Sequence, residues 1–84
     1  MEPDTARQQI REKIVALAQA LGNPADGLED DAFIPQLDIL DSAATMEFIM
    51  WLEQTYSVSI PDDDLTIENF GTINLTVDYI TKKG

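Results

Sequence analysis

Apolar residues recur along this chain at helical spacing, and the breaks between the runs divide it into helices joined by one long loop. Ile10, Ile14, Leu17 and Leu21 follow one another at four, three and four positions, one stripe of an amphipathic helix. The spacing predicts a helix from about Thr5 to Leu21, with Asp4 or Thr5 capping its first amides. Arg7, Gln8, Arg11 and Glu12 fall mostly on its other face. Gly22 stands where a left-handed residue ends a helix, and Pro24 blocks continuation.

A loop from about Asn23 to Leu40 follows, with Pro24, Gly27, Pro35 and the acids Glu29, Asp30 and Asp31. Loops this long in a small domain are functional or tied down. Phe33, Ile34, Leu37 and Leu40 are the expected anchors, with a recognition role open for Ile39 or Leu40. A second helix is predicted over Ser42 to Tyr56, with Met46, Ile49, Leu52 and Tyr56 as its core stripe. Phe48, Met50 and Trp51 widen the apolar arc, so at least one should stay exposed. They cover the loop or form a docking patch.

Ser57–Pro61 reads as extended chain, because the residue before proline is pushed out of the helical region. A short third helix is expected at Thr66–Phe70, ending near Gly71. Thr72 is a suitable cap for a last helix, Ile73 to about Lys82, with Ile73, Val77 and Ile80 inward. Lys82 and Lys83 then stand at its C-terminal end, where positive charge suits the helix dipole. The sum is an all-α fold: a small four-helix bundle of three longer helices and a short third one.

With 84 residues and 44% hydrophobic content, the chain has room for a single domain with a small core, spanning 1–84. It has no cysteine and no histidine, which removes a disulfide framework, a thiol nucleophile, the usual general base and the commonest metal ligand. No Ser-His-Asp hydrolase can be built from it, and no enzyme activity is expected. The net charge of −11 repels nucleic acid and anionic membranes and attracts basic protein surfaces. No apolar run reaches the ~20 residues of a membrane span. Met1-Glu2-Pro3-Asp4 lacks the basic and apolar regions of a signal peptide, so a cytoplasmic location is expected. A calcium loop starting at Asp62, with Asp64 and Glu68, fails: its sixth position is Ile67 rather than glycine and its twelfth Ile73 rather than glutamate. No metal site is expected.

Asp41-Ser42 is the feature with chemical content. A serine at a helix start is ordinarily a plain cap, but this one follows a long presenting loop, and the first turn of a helix tolerates a phosphodiester. Glu47 and Glu53 lie on the polar side of the helix, suited to a basic partner or simply to water.

The run Asp41-Ser42-Ala43-Ala44-Thr45-Met46-Glu47-Phe48-Ile49-Met50-Trp51-Leu52-Glu53 resembles the recognition helix of acyl and peptidyl carrier proteins. Ile60-Pro61-Asp62-Asp63 is similar to that family's Ile-Pro-acidic segment, and Thr72-Ile73 with Val77-Asp78-Tyr79-Ile80 to its last helix. Phe33 and Leu37 occupy the places of its loop anchors, so the resemblance runs from the first helix to Ile80. It implies 4'-phosphopantetheine on Ser42, with Asp41 assisting the phosphopantetheinyl transferase. It implies docking through Glu47, Glu53, Ala43 and Met46. Loading ligases and downstream acyl-transfer or synthase enzymes are the further partners, and the carrier is expected to be a monomer. Ala43 in place of the usual Leu or Met, the nearly bare first turn at Ala44, Asp38 near a common Gly, Ile39-Leu40 before Asp41, and a long Pro61–Thr72 segment depart from the fatty-acid carrier. They favour a dedicated carrier of aminoacyl or secondary-pathway type. The alternative from another class is an unmodified acidic adaptor that binds through Phe48, Met50 and Trp51.

Overall fold

The computed structural model describes residues 2–83, in three long helices, two short ones and a turn. Helix α1 spans Pro3–Ala20, α2 Ile34–Leu37, α3 Ser42–Tyr56, α4 Ile67–Phe70 and α5 Ile73–Lys83. A 3-10 turn covers Asp62–Asp64. No strand occurs among the described residues, and the body measures 32 × 26 × 21 Å. The all-α bundle is as expected. The departures are α2, a helical turn inside the long loop, and Ser57, which closes α3 in the left-handed region at φ 55° instead of starting an extended segment.

Helix α1 begins two residues earlier than its apolar stripe suggests, because Pro3 at the first turn has its φ preset and lacks an amide that would go unpaired. Glu2 holds the cap position without a side-chain bond, so neither Asp4 nor Thr5 caps the helix. Asp4 instead pairs with Arg7 at 2.6 Å. The C-terminus closes as a Schellman motif: Gly22, at φ +79°, donates its amide to Gln19 and Asn23 donates to Ala18. Leu21 lies in this closing turn and is 41% exposed, so the buried stripe stops at Leu17 and Ala18.

In α3 the buried stripe is Ala44, Phe48, Ile49 and Leu52, four residues apart along its main line. Met46 and Met50 fall on the opposite side, 49% and 53% exposed. Met46 is therefore not core, and Ala44 faces inward rather than leaving the first turn bare. Trp51 is half-buried, stacked on Phe48 at 6.0 Å and edge-on to Tyr56 at 5.7 Å. Tyr56 in turn donates to Gln9 of α1. Of the three residues an adaptor face would need, only Met50 is exposed.

Thr72 caps α5, accepting the Leu75 amide at 3.0 Å, and Ile73, Val77 and Ile80 are buried as their spacing requires. Helix α1 packs mainly against α5 and then α3, with Ile10, Ile14, Leu52, Ile73, Val77 and Ile80 forming the dry centre. Thr76 is also fully buried, and its hydroxyl donates to the Thr72 carbonyl. Lys82 stands exposed in the last turn; the side chain of Lys83 lies outside the described residues.

The long loop is held by polar ties more than by the apolar anchors expected of it. Phe33 and Leu37 are 37% and 45% exposed, and Ile34 and Leu40 half-buried. The buried loop residues are Ala25, Leu28 and Ile39. Asp30 pairs with Arg11 and lies 3.6 Å from Arg7, while its carbonyl accepts the Asn74 amide. Arg7 also donates to the Asn74 side chain, Arg11 to the Leu28 carbonyl and Asn23 to the Ile39 carbonyl. The arginines of the polar face of α1 thus become half-buried straps across the loop. The Ile34 amide donates to Gly71 at 2.8 Å, and the Phe33 ring rests on Gly71, where an added Cβ would approach Phe33 Cε1 to 2.9 Å. That contact requires a residue without a side chain.

Candidate functional site

Ser42 is the first residue of α3, and Asp41 is its cap. Asp41 Oδ1 accepts the Ala44 amide at 2.7 Å, and the Asp41 carbonyl accepts both the Thr45 amide and the Thr45 hydroxyl. With Asp41 performing this task, the capping explanation for Ser42 falls away. Ser42 is exposed, and no hydrogen bond among the described residues engages its hydroxyl.

A groove of about 510 Å³ opens beside this hydroxyl. Its floor is Ile14, Phe48 and Ile49, its walls Ile34, Leu40 and Phe70, and its rim Pro35, Asp38, Asp41, Ser42, Thr45 and Met46. A shallower groove of about 230 Å³ continues past Pro35, Met46 and Phe70 toward Leu65 and Ile67. Ile49, of the core stripe, lines it, whereas Leu52 and Ile73 lie fully buried in the bundle centre. Ile34, Pro35 and Phe70 escaped the sequence reading because they reach Ser42 only through tertiary packing.

The docking candidates separate. Glu47 is exposed, with Lys13 of α1 3.9 Å away. Ala43 and Met46 are exposed on the same helix. Glu53 is half-buried and accepts the Ile60 amide at 3.0 Å, so its carboxylate holds the chain that leaves α3.

Asp64 accepts from Tyr79 at 2.6 Å, and no cluster of three or more metal-ligating side chains occurs among the described residues. Burial, that hydrogen bond, and the charges of Asp64 and Glu53 push the Tyr79 hydroxyl up to about 12. No helix among the described residues is long and apolar enough to cross a membrane.

The family model for the phosphopantetheine attachment site matches residues 12–80. The chain belongs to that family. It is 34% identical over 76 residues to an acyl carrier protein of Chlorobium luteolum, covering 89% of this chain and 95% of the relative. An acyl carrier protein of Chlorobium phaeobacteroides matches over the same shares at 34%. One of Chlorobium phaeovibrioides is 49% identical over 43 residues, about half of each chain. Membership of this phosphopantetheine-attachment family makes the protein a carrier rather than a catalyst, with 4'-phosphopantetheine as its prosthetic group. Its partners are a phosphopantetheinyl transferase and acyl-processing enzymes.

The residues present fit that group. The first amides of a helix have no intrahelical partner. Asp41 takes that of Ala44 and the Asp41 carbonyl takes that of Thr45, which leaves the amides of Ser42 and Ala43 open at the positive end of α3, an end that would suit a phosphodiester. The apolar groove alongside suits the uncharged parts of an arm and its cargo.

Proposed function

We propose that Ser42 is the attachment point, and that the chain holds an acyl or aminoacyl group on its prosthetic group and presents it to partner enzymes. The observation that carries this is the exposed Ser42 hydroxyl, released from capping by Asp41, on the rim of an apolar groove. When bound, the group supplies the thiol that this cysteine-free chain lacks and forms the thioester.

The chain's own residues position and protect. Asp41 fixes the first turn of α3 through one carboxylate oxygen and presents the other to the transferase. The open amides of Ser42 and Ala43 stabilise a phosphodiester there. Ile49, Phe48 and Phe70 offer a dry wall against which an uncharged acyl tail is sheltered from water. Glu47, Ala43 and Met46 form the partner face, an acid beside apolar surface. Glu53 serves that face less, because Ile60 engages it. A face of this kind, on a protein of net charge −11, sets association rate and salt sensitivity more than final affinity. Each partner contact is then small and quickly released.

The finer reading is a cytoplasmic, monomeric carrier, with 1–84 as one carrier domain, that serves a dedicated pathway through a loading ligase and a downstream synthase. The dedicated pathway is supported by Ala43 directly after Ser42 and by Asp38 four residues before it.

Intact-protein mass spectrometry after incubation with coenzyme A, magnesium and a broad-specificity phosphopantetheinyl transferase tests the attachment, with Ser42→Ala as control. A gain of one phosphopantetheine by the wild type alone is expected. A gain by Ser42→Ala, or none by a folded wild type, would overturn it.

A further inference from the structure

Among the described residues, Asp38 and Asp41 are the only charged ones that line the groove beside Ser42. The two carboxylates differ in employment. Asp41 caps α3. No hydrogen bond or ion pair among the described residues engages the carboxylate of Asp38, and the residue is exposed on the rim.

Its backbone leaves the side chain at the edge of the groove: Asp38 closes α2 in the left-handed region, at φ 54° and ψ 39°, a helix end that aspartate and asparagine both tolerate. Among the described residues no lysine or arginine lines the groove to neutralise it. Charges beside apolar walls are screened less than in open water, so the sign of an incoming charge matters here.

We propose that Asp38 is a specificity-determining charge filter at the rim of the groove: it turns away acyl groups that bring a carboxylate there and admits neutral and cationic ones. The cargo class that follows is a neutral acyl or an aminoacyl group, and not a dicarboxylic one. This rests on the reading of Ser42 as attachment point and of the groove as shelter.

Three matched groups test it: hexanoyl, its carboxylate-tipped analogue adipyl, and its ammonium-tipped analogue aminohexanoyl. Each is placed on Ser42 by a broad-specificity transferase from the amide analogue of its coenzyme A ester, so that nothing hydrolyses. The readout is the shift of the Ile49 and Phe70 backbone amides in nitrogen-proton NMR spectra. Burying either charge is unfavourable, so comparing the two signs isolates the field at the rim. In the wild type the ammonium-tipped chain should shift these amides at least about threefold more than the carboxylate-tipped one. Asp38→Asn keeps a residue that tolerates the left-handed region and should bring the two within about twofold. Asp63→Asn removes the same unit of charge from the 3-10 turn and should leave the ratio as in the wild type.

Equal shifts for the two charged groups in the wild type would overturn the filter. So would an unchanged ratio in Asp38→Asn, or the same change in Asp63→Asn, which would assign the effect to overall charge. A loaded hexanoyl group that leaves both amides unshifted would instead overturn the sheltering groove, and the filter with it. Failure to load Ser42 at all would overturn the attachment.

Discussion

The Asp41 side chain accepts the backbone amide of Ala44 at 2.7 Å, and that single bond decides what the serine between them is free to do. A helix start needs one capping oxygen, and Asp41 supplies it. Asp41→Ala should lower stability by about 1 kcal/mol, as loss of a cap does, and should also slow loading. Asp41→Asn keeps a capping oxygen, so stability should stay within a few tenths of a kcal/mol while loading still slows. Urea unfolding beside transferase kinetics separates the two effects, and equal loading by Asp41→Asn and wild type would remove the charge from the mechanism.

Glu47 and Glu53 should behave differently although both lie on α3. Glu47→Ala should leave stability unchanged and reduce the loading rate a few-fold at low salt, with the difference shrinking as salt rises. Glu53→Ala strips the Ile60 amide of its partner and should lower stability by about 1 kcal/mol, with little effect on loading. The opposite pattern would make Glu53 the docking residue.

Gly71→Ala should destabilise the protein by about 1–3 kcal/mol, the usual effect of overpacking. The new Cβ meets the Phe33 ring and the Ile67 carbonyl. Phe33→Ala in the same chain should restore only part, since the carbonyl cannot move aside. Thermal melts of the two single variants and the double give the coupling directly; strict additivity would mean that the ring does not rest on residue 71 in solution.

Asp30→Ala leaves Arg7 and Arg11 without their shared carboxylate. A loss of about 1–3 kcal/mol is expected, as for partly buried groups deprived of a charged partner. Because the groups are half-buried, much of the loss should persist in strong salt. A loss confined to low salt would mark the strap as an ordinary surface pair.

Stability should fall as pH rises from about 10 to about 12. The Tyr79 hydroxyl is raised from 10.0 to about 12 by burial, by its bond to Asp64 and by the Asp64 and Glu53 charges. Over that window the unfolded chain has released this proton and the folded one still holds it, so raising pH favours unfolding. Burial pushes Tyr56 in the same direction. Below pH 10 this contribution is complete and constant. In Tyr79→Phe the decline should be shallower, which alkaline denaturant titrations would register. Parallel curves for the two proteins would deny Tyr79 its raised pKa.

The chain's local chemistry was legible in its sequence. The bounds of α3, the left-handed Gly22, the Thr72 cap and the inward Ile73, Val77 and Ile80 all follow from spacing and from the few residues able to end or begin a helix. Such features depend on neighbours within about one or two turns, and a sequence displays those neighbours directly. The tertiary structure decided everything that depends on which face meets what. An apolar arc as wide as that of α3 has several admissible inward directions, and only packing against α1 turned Ala44 and Phe48 in and Met46 out. Periodicity gives no sign that Asp30 draws two arginines across the loop, that Phe33 finds Gly71, or that Ile34 and Phe70 come to flank Ser42. Those contacts join residues far apart in the chain, and they exist because a small core leaves a long loop to be fastened by whatever the folded helices present to it.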